Sequence, residues 1–166
     1  MRLGDARDTV LMLLPMKPSI DSEYDYFSCG LRKEIHWLDL EKKASGLFVY
    51  LREGKVFQIE SGTPRFRTPE GITLGGYPSK VRRHYPDLRT FVLRYSGGDV
   101  VGGRDLIYWV DQSRGIAFEF YFDRRAKKRL VLKVIVFDPI TDFAPAGCVV
   151  EPQEWAELPP YSLEPG

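Results

Sequence analysis

The sequence predicts an α+β fold: two tandem units, each a short helix followed by antiparallel strands, joined into one long antiparallel sheet with the short helices on one face. Three observations predict it. Leu3-Gly4, Val10 and Pro15 recur as Leu74-Gly75, Val81 and Pro86, each 71 positions later. Each copy is followed by apolar, aromatic-rich runs bounded by glycine, the pattern of strands and turns. Between Leu47–Leu51 and Lys55–Ile59 stands only Arg52-Glu53-Gly54, a connection short enough to force antiparallel pairing. The units divide the chain into residues 1–65, residues 66–139 and a proline-rich extended tail, 140–166, within one structural domain.

The elements follow in order. Asp5 is a candidate helix N-cap and Asp8 suits the positive end of the helix dipole. Val10, Leu13 and Leu14 share a face before Pro15 ends the run. In 16–30, Asp21, Glu23 and Asp25 alternate with Ser22, Tyr24 and Tyr26, as in an extended edge segment or a loop. Ile35–Leu40 and the two halves of the hairpin around Glu53 are strands, and residues 61–70 link the units. The second helix has Pro78 in its first turn, where the missing amide costs nothing, and Val81 and Tyr85 on one face. Thr90–Tyr95 and Leu106–Val110 come next, separated by a loop holding Gly97, Gly98, Gly102 and Gly103. Ile116, Phe118, Phe120 and Phe122 alternate with Ala117, Glu119 and Tyr121, the period of a half-buried strand. Val131–Phe137 is apolar on both faces and is therefore placed centrally. The tail is expected to strap along the outside, anchored by Trp155 and Tyr161.

The pattern Leu-Gly, short helix with Val, closing Pro, then a Gly-Leu-Phe-Val or Gly-Ile-Ala-Phe hairpin resembles the β-lactamase-inhibitor-protein-like fold. A related half-unit occurs in small outer-membrane-assembly lipoproteins. The resemblance spans roughly residues 3 to 139. It implies a protein-binding or envelope-associated role, with the bacterial envelope or periplasm as the compartment, and it assigns no contact residue here.

Composition bounds the function. Apolar residues make up 43% and aromatic residues 13% of 166, enough for a packed core. With 24 basic against 23 acidic residues the net charge is +1, so no global field draws nucleic acid or an anionic membrane. No run approaches the roughly 20 apolar residues of a membrane span. The first residues carry Asp5 and Asp8 ahead of the apolar patch and are not read as a signal peptide. Cys29 and Cys148 form no CxxC pair, and whether they are bridged is open.

Catalytic and metal constellations fail on spacing. Asp21, Glu23 and Asp25 would open a calcium loop, but the sixth and twelfth positions are Tyr26 and Arg32 rather than glycine and glutamate. His36 and His84 have no second ligand type at metal spacing, and His84 fits the negative end of its helix. Nothing marks an activating environment for Cys29 beside His36. The four-glycine loop lacks the Lys-Ser/Thr ending of a phosphate loop and precedes a strand. The expectation is a protein that is not an enzyme and uses no cofactor or metal.

Two features carry functional weight. Tyr108 alternates with Trp109, and Phe120 with Tyr121, so the strands bear aromatics at both parities. If helices cover one face, an aromatic patch remains on the other for a protein partner, with Trp109, Tyr108 and Tyr121 as anchors. Packing of both faces under helices, tail or a dimer partner is the competing reading. The basic turn of Arg124, Arg125, Lys127, Lys128 and Arg129 gives the alternative function, binding of an anion or an envelope lipid, though a charged hairpin tip also protects a sheet.

Overall fold

The computed structural model describes residues 1–13, 19–21, 37–39, 47–64, 66–93, 106–123, 128–140, 143, 145 and 155–163. Their elements run α1 (Arg7–Leu13), β1 (Ser19–Asp21), β2 (Trp37–Asp39), β3 (Leu47–Arg52), β4 (Lys55–Ser61), α2 (Pro78–His84), β5 (Arg89–Leu93), β6 (Leu106–Asp111), β7 (Ile116–Asp123), β8 (Lys128–Phe137) and β9 (Trp155–Leu158). The nine strands form one sheet in the order β1-β2-β3-β4-β8-β7-β6-β5-β9. Every pairing is antiparallel. The apolar strand β8 is the fifth of the nine, where a strand buried on both faces belongs.

Local chemistry explains most boundaries. Pro78 opens α2 at its first turn, and α2 ends on the basic residues Arg82, Arg83 and His84, a composition suited to the negative end of its dipole. Asp5 departs from expectation. Its carboxylate accepts from the Arg2 amide at 2.6 Å, and its carbonyl accepts from the Val56 amide, which ties it to β4 ahead of the helix. The tail holds more order than its composition suggested. β9 adds to the sheet along β5, Arg89 forks onto Glu157 through two bonds of 2.9 and 2.6 Å, and the Tyr161 hydroxyl donates to the Pro86 carbonyl.

The same backbone device ties each helix entry to the sheet. Gly4 N–H donates to the Val56 carbonyl at 2.7 Å, and Val56 N–H returns to Asp5 at 2.9 Å. Gly75 N–H donates to the Val131 carbonyl at 2.8 Å, and Val131 N–H returns to Gly76 at 2.9 Å. Both glycines take a left-handed backbone, φ +83° and +78°. Beside each anchor the ladder slips by one residue. Tyr50 faces Gln58 while Leu51 faces Val56, and Glu119 faces Lys133 while Phe120 faces Val131. Phe57 and Leu132 are the extra residues of two bulges.

Both helices pack on one face. Val10 of α1 is fully buried with Val49, Leu51 and Val56. Val81 of α2 is fully buried with Trp109, Phe118, Phe120 and Val131. The opposite face is buried too: Tyr108, Val110, Ala117, Ile135 and Phe137 form a second cluster against Phe143. Phe118, Phe120 and Ile135 are 0% exposed, as the alternation predicts.

Candidate functional site

The expected aromatic anchors do not lie on a free surface. Trp109 is 1% exposed and Tyr108 0%. Trp109 lies on the helix face, 4.6 Å from Phe120 and 5.3 Å from Tyr161 between ring centroids, and its indole N–H donates to the Ser162 carbonyl at 3.1 Å. Tyr108 points to the other face, where its hydroxyl donates to Glu119 at 2.9 Å. The parity argument fails at one step: it left one sheet face open, and in the fold the side chains of β6 are buried on both faces. Tyr121 is half-buried opposite Leu130.

The basic turn is described only in part, since Arg124, Arg125 and Lys127 lie outside the described residues. Lys128 is exposed and donates to the Tyr77 hydroxyl at 3.1 Å, with its ammonium 4.3 Å from that ring's centroid. Arg129 follows it in β8, and strand alternation sends the two side chains to opposite faces. Cys29, Cys148, His36, Glu23, Asp25 and the four glycines from Gly97 to Gly103 also lie outside the described residues.

The face opposite the helices holds a polar cluster that sequence reasoning missed. Glu60 on β4 and Glu119 on β7 are 0% and 1% exposed. Lys133 on β8 reaches both, its ammonium 3.0 Å from Glu60 Oε2 and 3.4 Å from Glu119 Oε2. Gln58 donates to the other Glu60 oxygen at 2.9 Å, and the Tyr108 hydroxyl donates to Glu119 Oε2, the oxygen that Lys133 approaches. Antiparallel register builds the cluster, with Tyr108 opposite Glu119, Glu119 opposite Lys133, and Glu60 on the diagonal. Burial works against the Lys133 ammonium, but the Glu119 and Glu60 carboxylates outweigh it and hold its pKa above the ordinary lysine value. Burial pushes the Glu60 carboxyl up; Lys133 opposes the rise and the charge of Glu119 adds to it. The directions agree, because one ammonium between two carboxyls stays charged while the second carboxyl resists ionisation. The sequence signal was Lys133 itself, which interrupts the apolar run Val131–Phe137; the register alone sets Glu119 and Glu60 beside it.

On the helix face of β3, β4, β7 and β8 lies a groove of about 230 Å³. Its floor is Leu47, Ile59 and Ser61 from β3 and β4, with Ile116, Val134 and Val136 from β7 and β8; Phe66, Arg67, Thr68 and Pro69 of the linker line the rest. Seven of these ten residues are apolar and none is acidic. Phe66 keeps 48% and Val136 40% of its surface in water. The linker is stapled: Thr68 N–H donates to the Ile72 carbonyl at 2.9 Å, Ile72 N–H to Thr68 Oγ1 at 3.2 Å, and the Thr73 hydroxyl to the Phe66 carbonyl at 2.7 Å. A second staple at its end joins the Tyr85 hydroxyl to Glu70 at 2.7 Å. Burial and that bond push the Tyr85 hydroxyl up to about 12, and Tyr85 with Thr68 holds the Glu70 carboxyl below its usual range.

Among the described residues no group of three or more His, Cys, Asp or Glu is placed to hold a metal ion, and no helix is long and apolar enough to cross a membrane. No family model matches the chain, and no curated protein matches it. Among solved structures, the uncharacterized protein yfeY from Escherichia coli is similar over 63% of this chain and 73% of that one, with a TM-score of 0.42 and 11% identity.

Proposed function

We propose that the protein is a non-catalytic binding module made of two tandem helix-plus-sheet repeats, and that it binds an apolar group in the groove where the repeats meet. The observation that carries this reading is the groove itself, where Phe66 and Val136 leave apolar surface in water at one concave place. The paired Gly4–Val56 and Gly75–Val131 anchors, the two bulges beside them and the buried Val10 and Val81 support the repeats. Counted from the anchors, Leu47, Ile59 and Ser61 correspond to Ile116, Val134 and Val136, so the floor of the groove is three equivalent pairs.

The polar cluster argues for a structural role rather than catalysis. Its carboxylates are buried, each oxygen that faces a donor is already occupied, and the groove opens on the other side of the sheet. Among the described residues no acid, base and nucleophile converge in one cleft. The test is methyl NMR of the full chain titrated with n-hexanol, alone and with Val136→Trp, which fills the groove from a partly exposed position. Shifts confined to Ile59, Ile116, Val134 and Val136, and lost in the folded variant, are the expected result. Shifts scattered over the surface, or unchanged in the variant, refute it.

A further inference from the structure

We propose that the groove takes a single aliphatic chain ending in a carboxylate, a medium-chain alkanoate, with the carboxylate received by Arg67. The proposal rests on the reading of the groove as the binding site and adds what the ligand is. Size sets the first limit. About 230 Å³ is below the roughly 300–1,000 Å³ of sites that hold drug-sized ring systems, so the groove accommodates one chain.

Polarity sets the second. The two polar residues of the lining are already engaged, Thr68 Oγ1 accepting from the Ile72 amide and Ser61 Oγ from the Thr63 amide at 3.5 Å. The interior therefore favours hydrocarbon over a ligand with polar groups along its length. Charge sets the third. Arg67 is the single charged residue of the lining, is exposed, and has no ion pair among the described residues. The acidic residue next to it in the linker, Glu70, is turned to the Tyr85 hydroxyl. A guanidinium fork beside an apolar slot matches a carboxylate in geometry as well as charge. The hydrogen-bonded linker holds Phe66 and Arg67 at the rim before any ligand arrives, which limits the ordering cost of binding.

The experiment titrates the full chain with hexanoate, octanoate and decanoate below their micelle concentrations, with the matching n-alcohols, and with a short peptide ending in a free-carboxyl leucine. Affinity is read by calorimetry and location by methyl NMR. Each added methylene should tighten binding about fourfold until the groove is full. Octanoate should bind about tenfold tighter than octanol. Arg67→Gln should remove that advantage and leave octanol binding unchanged, while Val136→Trp should abolish both. Equal binding of acid and alcohol, or indifference to Arg67→Gln, overturns the carboxylate assignment and leaves the groove standing. Binding of the peptide but no alkanoate overturns the ligand class. Failure of every alkyl compound to bind overturns the groove reading itself.

Discussion

Lys133→Met removes the one cation from between two buried carboxylates. Removing one partner of a buried ion pair costs about 3–5 kcal/mol, because a charge is left without compensation. Lys133 keeps 23% of its side-chain surface, so water reaches the site and the loss should fall near the lower end, about 3 kcal/mol at pH 7. With an m-value of about 2 kcal/mol/M, the urea midpoint should drop by about 1.5 M. The pH dependence gives the sharper readout. The Glu60 pKa in the folded protein already lies above its ordinary 4.5, so the folded state binds that proton more tightly than the unfolded chain does. Its contribution to stability is therefore fully present below 4.5 and is lost as pH rises through the folded pKa. Without Lys133 the carboxyl rises further, so the variant's deficit should shrink as pH falls from 7 to 5. Adding Glu60→Gln and Glu119→Gln to Lys133→Met should restore most of the loss at pH 7. Urea unfolding followed by tryptophan fluorescence measures all of this. A deficit under about 1 kcal/mol that is flat with pH would show that the cluster is not a charged unit.

Phe120→Ala should cost about 3–5 kcal/mol in the same assay, since Phe120 is fully buried against Trp109, and a loss under about 1 kcal/mol refutes that packing. Gly115→Ala should cost more than Gly75→Ala by about 1 kcal/mol or more: both have positive φ, but a Cβ at Gly115 overlaps the Phe137 carbonyl whereas that at Gly75 meets open space. Equal losses would remove the steric argument. Tyr161→Ala should cost about 1–3 kcal/mol through its contacts with Trp109 and Arg82, while Arg89→Met should stay within about 1 kcal/mol because its bridge to Glu157 is exposed. The reverse order would mean that the ion pair, not the ring, holds the strap.

Much of the architecture was legible because it rests on short-range signals. Period-two alternation marked β7, a two-sided apolar run marked the central β8, and Pro78 marked the start of α2. The β9 pairing was not legible, since four residues among prolines carry no periodicity and the edge of β5 supplies their order. The site was the harder part. Tyr108 and Trp109 read as surface candidates because parity says which residues share a face, while cover over that face comes from segments remote in sequence. Glu119 read as the wet side of a half-buried strand for the same reason. Only the register brings it opposite Lys133 and next to Glu60. The groove could not be seen at all, because Leu47, Ile59, Phe66, Ile116 and Val136 come together only when β4 meets β8.

That meeting also explains why the groove and the polar cluster lie back to back. Glu60 is opposite Ile135, and each stands four residues beyond its anchor, Val56 or Val131, so this pair would mark the axis relating the two proposed repeats. Each helix covers its own set of strands, Val10 among Val49, Leu51 and Val56, and Val81 among Trp109, Phe118 and Phe120. The junction between them is left to small and β-branched side chains, Ser61, Ile59, Val134 and Val136, which form a floor too shallow to close itself. On the reverse face, positions that the proposed repeat would make equivalent differ: Gln58 stands where the second repeat has Lys133, and Glu60 where it has Ile135. Two identical units would place like charges together on that axis. Divergence puts one carboxylate beside one ammonium instead, and so pairs β4 with β8 in a single register. On the groove side the two proposed repeats differ through the linker, which brings Phe66 and Arg67 to the lining and would give the proposed site a direction: hydrocarbon along the floor, charge at the Arg67 end.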